Sequence, residues 1–181
     1  AALAGAAAGA VALGAGLAFI KDSSGKAAGM ESLTVQFEVL TKSASKAKDL
    51  IKSFRDEAIK SPLSVQDYAQ AGKTLMAFGI SADETLPILK TLGDVSMGNA
   101  ERFGSLALAF AQTQAAGRLM GQEVLQFVNA GFNPLQEISR KTGKSMIELK
   151  KAMEDGAISA AMVTDAFKSA TAQGGLFYGA L

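Results

Sequence analysis

The sequence predicts an all-α fold: an array of short helices joined by glycine turns, preceded by an apolar Ala/Gly-rich helix. Three observations carry that prediction. Apolar residues recur at three-and-four spacing, as in Val124, Leu125 and Val128, then Leu135 and Ile138, then Ile147, Leu149 and Met153. Glycine punctuates these runs at Gly79, Gly93, Gly117, Gly131, Gly143 and Gly156. It is the usual residue just past a helix end, because it enters the left-handed conformation without a steric penalty. Helix starts are marked as clearly, by Asn133 before Pro134 and by the capping-box pair Ser145 and Glu148.

Residues 1–20, AALAGAAAGAVALGAGLAFI, carry no charge. As a helix they would extend roughly 30 Å, about the hydrocarbon thickness of a bilayer. Gly5 and Gly9 make a GxxxG step, and Ala1 extends this small face by one turn. Such a face lets helix backbones approach closely in a membrane. The run reads either as a membrane-inserting helix or as an Ala-rich helix packed in a protein interior or oligomer core. A signal peptide fits poorly, since no basic region precedes the run. Residues 21–29, KDSSGKAAG, form a polar linker and a domain boundary, leaving 30–181 as the helical domain.

Residues 30–60 read as one helix, with Leu33, Phe37, Leu40, Ala44, Ala47, Ile51, Phe54 and Ala58 on its apolar face. The opening LTVQFEVL also alternates with period two, which leaves a strand at 33–40 as an alternative. Lys42, Lys46, Lys48 and Lys52 fall on the polar side, as a solvated face. Ser61-Pro62 is a turn dipeptide. Ser64 then caps a helix whose apolar face is Val65, Tyr68, Ala69, Gly72, Leu75 and Met76. Gly79 stops it, and Ile80 can fold back on the last turn. Ser81 with Glu84 opens the next helix through Leu86, Ile88, Leu89 and Leu92. Pro87 is expected to kink it and Gly93 to end it. Residues 93–102 then read as a loop with Asn99 as the following cap. Phe103, Leu106, Ala107, Phe110, Ala111 and Gln114 define a helix closed by Gly117, and Gly121 reads as an N-cap. The last helix carries Val163, Ala166, Phe167 and Ala170. It is capped near Ser159, with Ile158 placed to staple onto Val163, before Gly174-Gly175 breaks the pattern.

At 181 residues the chain can bury a core as one domain. Its formal charge of +1 gives no bulk attraction to nucleic acid or an acidic surface. It has no cysteine and no histidine, which removes disulfides, Cys–His and Ser–His catalysis, and conventional zinc sites. GDVSMG lacks the Lys-Ser/Thr ending of a phosphate loop. Asp83/Glu84 and Glu154/Asp155 are adjacent in sequence, so neither pair shares a helix face. The expectation is therefore no catalytic residue, no metal, no cofactor and no enzyme. Met76, Met97, Met120, Met146, Met153 and Met162 fall mostly at core spacing, as gap fillers. Residues 135–155 have the length and glycine turn of a helix-turn-helix, with Arg140, Lys141, Lys144, Lys150 and Lys151 nearby. In that motif the start of the second helix touches base edges. Here Ser145, Met146, Ile147 and Glu148 stand there, and two large apolar groups with a carboxylate suit a groove of acceptors poorly.

The phrases GRLMGQEVLQFVNAGFNPLQEIS, GKSMIELKKAMEDGAIS and GGLFYG, with SPLSVQDYAQAGKTLMAFGI upstream, carry a resemblance. In this fixed order they resemble the helical domain of the tape measure proteins of tailed bacteriophages, from about Met30 to the last residue. One departure is Leu63, where the family's pattern has an aromatic. The resemblance implies a structural protein that fills the tail tube and sets tail length during assembly. It further implies ejection ahead of the DNA and a part in a conduit across the host envelope, a step that residues 1–20 would suit. The partners so implied are copies of itself as a trimer, tail-tube and tail-tip proteins, and the host membrane. The expected location is the tail tube lumen or tail tip, then the host envelope. Such proteins are much longer, so the chain is expected to be a fragment. The competing readings are a DNA-binding module at 135–155 and a membrane-active pore former built on 1–20.

Overall fold

A computed structural model describes Gly29 and residues 31–181. Among the described residues the chain runs through α1 (31–41), α2 (Ala44–Ala58), α3 (Val65–Ala77), α4 (Ala82–Ser96) and α5 (Ala100–Ala116). It continues through α6 (Gly121–Asn129), α7 (Pro134–Thr142), α8 (Met146–Glu154) and α9 (Ala160–Thr171). None of these residues forms a strand, and 33–40 lies within α1. A single isolated antiparallel bridge pairs Arg118 with Ser159. There Leu119 N–H donates to Ile158 O at 2.8 Å and Ala160 N–H to Gly117 O at 3.0 Å.

Local side-chain chemistry starts most helices. Ser64 with Asp67, Ser81 with Glu84 and Ser145 with Glu148 form complete capping boxes. Ser43, Asn99, Asn133 and Ser159 each accept a first-turn N–H. The α3 end is a reciprocal turn in which Gly79 N–H donates to Met76 O and Ile80 N–H to Leu75 O. Gly79, Gly131 and Gly156 lie just past the caps of α3, α6 and α8 at φ of 92°, 91° and 73°.

Several boundaries differ from the expectation. The helix read over 30–60 is broken at Lys42, which takes φ of 53°. Thr41 Oγ1 bonds both Phe37 O and Ser43 O and folds the break together. The apolar face changes phase across it: Ala44 is exposed and Leu50 joins Ala47, Ile51 and Phe54 inside. Gly93 is not a helix end, and 93–96 is not loop. Helix α4 passes through Pro87 and Gly93 to Ser96, and Met97 takes the left-handed position at φ of 52°. Gly121 is the first helical residue of α6, and Met120, without a capping side chain, stands before it. In α6, Glu123 and Phe127 are buried while Leu125 and Val128 are exposed. Met97 and Met120 are exposed too, so the gap-filling role falls to Met76, Met146, Met153 and Met162.

The core is organised along α5, where Phe103, Leu106, Ala107, Ala109, Phe110, Ala111 and Thr113 are buried. It packs against α3, α4, α6 and α9. A ladder of rings reaches it from the N-terminal side. Phe37 meets Phe54 edge-on at 5.5 Å, Phe54 stacks with Tyr68 at 6.3 Å, and Tyr68 meets Phe103 edge-on at 5.4 Å. A hub closes the other side, where Phe167 touches Phe110 at 5.7 Å, Phe127 at 5.3 Å and Phe132 at 4.2 Å. Offset and edge-to-face pairs of this kind add to what burial alone supplies. Gly72 lets α2 approach α3, for a Cβ there would lie 2.9 Å from the Phe54 ring. Buried hydroxyls turn inward onto the helices: Thr85 to Ser81 O, Ser96 to Gly93 O and Thr113 to Ala109 O.

Because Phe167 touches rings from three other segments, its removal leaves a cavity that no single neighbour can fill. Phe167→Ala is expected to cost about 3–5 kcal/mol. A denaturant titration of the 30–181 segment checks this, and a loss below about 1 kcal/mol would remove the hub from the account.

Candidate functional site

The sequence directs attention to two places, the small face at Ala1, Gly5 and Gly9 and the glycine-turn helices around 117–159. Ala1, Gly5 and Gly9 lie outside the described residues. No helix among the described residues is long and apolar enough to cross a membrane.

In the second region Gly117 and Gly143 cap α5 and α7 at φ of 71° and 73°. A β-branched residue is poorly tolerated at such angles. Gly143 N–H donates to Ser139 O at 2.8 Å, and Ser139 Oγ donates to Lys144 O at 2.6 Å. The turn from α7 to α8 is thus held by its own backbone and by the Ser139 hydroxyl. The start of α8 is committed to capping. Ser145 N–H and Oγ both bond the Glu148 carboxylate, at 2.8 and 2.7 Å. The Ser145 hydroxyl and backbone N–H hold that carboxyl below its ordinary value. Met146 packs against the core, and Ile147 projects into solvent. Arg140 forks onto Glu137 and also reaches Ser169 Oγ at 3.2 Å. Glu137, held chiefly by that guanidinium, lies below the usual carboxylate range.

Two open clefts lie beside these helices. One, of about 630 Å³, runs between α5 and α6 past Glu101, Arg102, Leu108 and Gln126. The other, of about 560 Å³, lies between α7 and residues 170–177, with Arg140, Glu137, Phe132 and Leu176 in its walls. Neither brings a nucleophile against a base, and the ion pair in the second is already satisfied. No group of side chains suited to hold a metal occurs among the described residues.

A polar cluster that sequence reading did not find lies at the edge of the N-terminal core. The buried Tyr68 hydroxyl meets Ser61 Oγ at 3.3 Å. Glu57 pairs with Lys90 at 3.2 Å and with Lys60 at 3.6 Å. Asp94 accepts the N–H of Leu181, 87 residues on, at 3.2 Å. Burial pushes the Tyr68 phenol up, and it pushes the Asp94 carboxyl up against the opposing pull of Leu181 N–H and Lys90. Only the Ser61-Pro62 turn hinted at this place. The pairings across it join segments far apart in the chain.

These elements define an all-α structural module in which Glu148 serves a cap and Arg140 with Glu137 an ion pair. A family model described as tape measure protein matches residues 24–178. The chain belongs to the tape measure protein family, and its role is structural, in the bacteriophage tail. No curated protein and no solved structure matches it. The match lends no support to DNA binding through 135–155.

Two of the shifted carboxyls, Glu137 and Asp94, act on stability with opposite signs. Glu137, lowered in the fold, contributes stability that is present above its unfolded pKa and lost as pH falls through the lowered one. Asp94, raised in the fold, contributes stability that is full below its unfolded pKa and lost as pH rises through the raised one. Glu137→Gln is therefore expected to lag the parent chain at neutral pH and to converge on it in acid. Asp94→Asn, which keeps an acceptor for Leu181, should lag in acid and gain on the parent toward neutral pH. Denaturant midpoints at both pH values check the two signs.

Proposed function

We propose that this segment belongs to the part of a tape measure protein that fills the tail tube and sets tail length during assembly. The protein then leaves the tube ahead of the DNA and helps form a conduit across the host envelope. The observation that carries this reading is the family match over residues 24–178. The wholly helical build of the described residues agrees with it, since helices laid end to end can occupy a narrow lumen along its length. The partners are copies of the same chain, as a trimer, together with tail-tube and tail-tip proteins. The locations are the tube lumen or tail tip, then the host envelope. In-frame deletion of residues 30–181 from the phage gene tests the length-setting role. Laid end to end as helix the segment would span about 230 Å, at roughly 1.5 Å per residue. Tails measured by electron microscopy should shorten by up to that amount, and tails of unchanged length would remove the role from this segment.

The uncharged run at 1–20 is proposed as the part that meets the host membrane. What supports this is its length, close to a bilayer's hydrocarbon thickness, and the small face at Ala1, Gly5 and Gly9. An Ala/Gly-rich helix is only weakly apolar and is thin, which suits passage through a tube before a membrane is reached. Self-association through Gly5 and Gly9 would bury that face in transit and hold copies together afterwards. Replacing both with leucine raises apolarity while removing close packing. If packing matters, phage carrying Gly5→Leu with Gly9→Leu should keep lipid partitioning but lose DNA delivery. Undiminished delivery would sink the packing role.

A further inference from the structure

We propose that residues 172–181 form a releasable strap and that Gly93 is its catch. The strap leaves α9 and is anchored at two places. Near its middle, Phe177 N–H donates to Ala170 O at 2.8 Å, and the buried Phe177 ring meets Phe132 at 6.2 Å. At its far end Leu181 N–H donates to Asp94 Oδ1 at 3.2 Å. The Leu181 side chain lies directly over Gly93. A Cβ built there would sit 2.6 Å from Leu181 Cδ1 and 3.7 Å from Leu63 Cδ1.

Gly93 itself has no need of glycine's conformational range. It lies within α4 and is not among the residues at positive φ. Glycine is a poor choice inside a helix, where alanine would strengthen it. The space left by its missing side chain is filled by Leu181, so the residue is explained by what it admits. Around and between the anchors little holds the strap: Leu176, just before the first, is 85% exposed, and Tyr178, between them, is 62% exposed. The bonds from Tyr178 to Gly175 O and from Ala180 to Phe177 O are internal turns. A segment with few buried contacts between two anchors opens locally, well before the core does. Its release would uncover the Gly93 notch and Phe132 together. The proposal stands apart from the tail-length reading, because it concerns only how this chain opens.

Amide hydrogen exchange on the full chain tests it. In the parent protein the amides of Tyr178, Ala180 and Leu181 should exchange through local opening, faster than the α5 amides. Gly93→Ala crowds Leu181, and should speed exchange of those three amides by roughly tenfold or more while leaving α5 unchanged. Leu181→Ala should open the strap in the same way. Adding Gly93→Ala to that variant should then give no further acceleration, and should raise the thermal midpoint because the helix gains an alanine. The proposal is overturned if the strap amides exchange only with the core. It is equally overturned if Gly93→Ala leaves them at the parent rate, or accelerates them as much without the Leu181 side chain as with it.

Discussion

The burial of one broad face of α5 against four neighbours is the constraint on which the other helices depend. A helix packed in this way must present small residues where neighbouring backbones come close and large ones where gaps remain. Ala107, Ala109 and Ala111 meet the first demand, and Phe103 and Phe110 the second. The two phenylalanines are seven residues apart, two turns along one face. Phe103 receives the ladder that begins at Phe37, and Phe110 receives the hub around Phe167. Early and late parts of the chain therefore share one helix and are not merely joined by a linker. Helices of nine residues such as α6, α7 and α8 are too short to persist alone in water. They exist because they dock, directly or through one another, on this frame.

Local signals were legible in the sequence and distant ones were not. A capping box is a contact over three residues, so Ser81 with Glu84 and Ser145 with Glu148 could be read directly. Asn133 with Pro134 was readable for the same reason. Lys42 was missed because the three-and-four pattern runs on across it. What breaks the helix is a left-handed lysine secured by the Thr41 hydroxyl, a conformation that composition does not announce. Gly93 was misread because one residue type serves two purposes. Glycine permits a left-handed turn, and it also permits close approach, and only the position of Leu181 decides between them. The α6 face failed differently. Its apolar residues are spaced for a helix, but docking buried Glu123 and Phe127 and left Leu125 and Val128 outside.

Membership of the tape measure family sets these helices in a structural role in the tail. Two charged residues near the α7–α8 turn are engaged locally: Glu148 at the start of α8, and Arg140 with Glu137 and Ser169. That commitment also accounts for the weak likeness of α7 and α8 to a DNA-reading pair. Of the positions that would face a base, Ser145 and Glu148 hold the helix start, Met146 packs on the core and Ile147 is exposed.

The bridge between Arg118 and Ser159 has a mechanical consequence. Its two backbone hydrogen bonds join the residues after α5 to those before α9, so the chain leaves and returns at one point. Tension applied along the chain from outside this segment passes from α5 across the bridge into α9. While both bonds hold, they carry part of that pull past α6, α7 and α8, which are also tied to α5 and α9 by packing and by the contacts of Phe127 and Phe132 with Phe167. When the bridge and those ring contacts break together, some forty residues of slack enter the line, since about that many separate Arg118 from Ser159. The molecule would therefore lengthen under force in a step, and not by gradual extension.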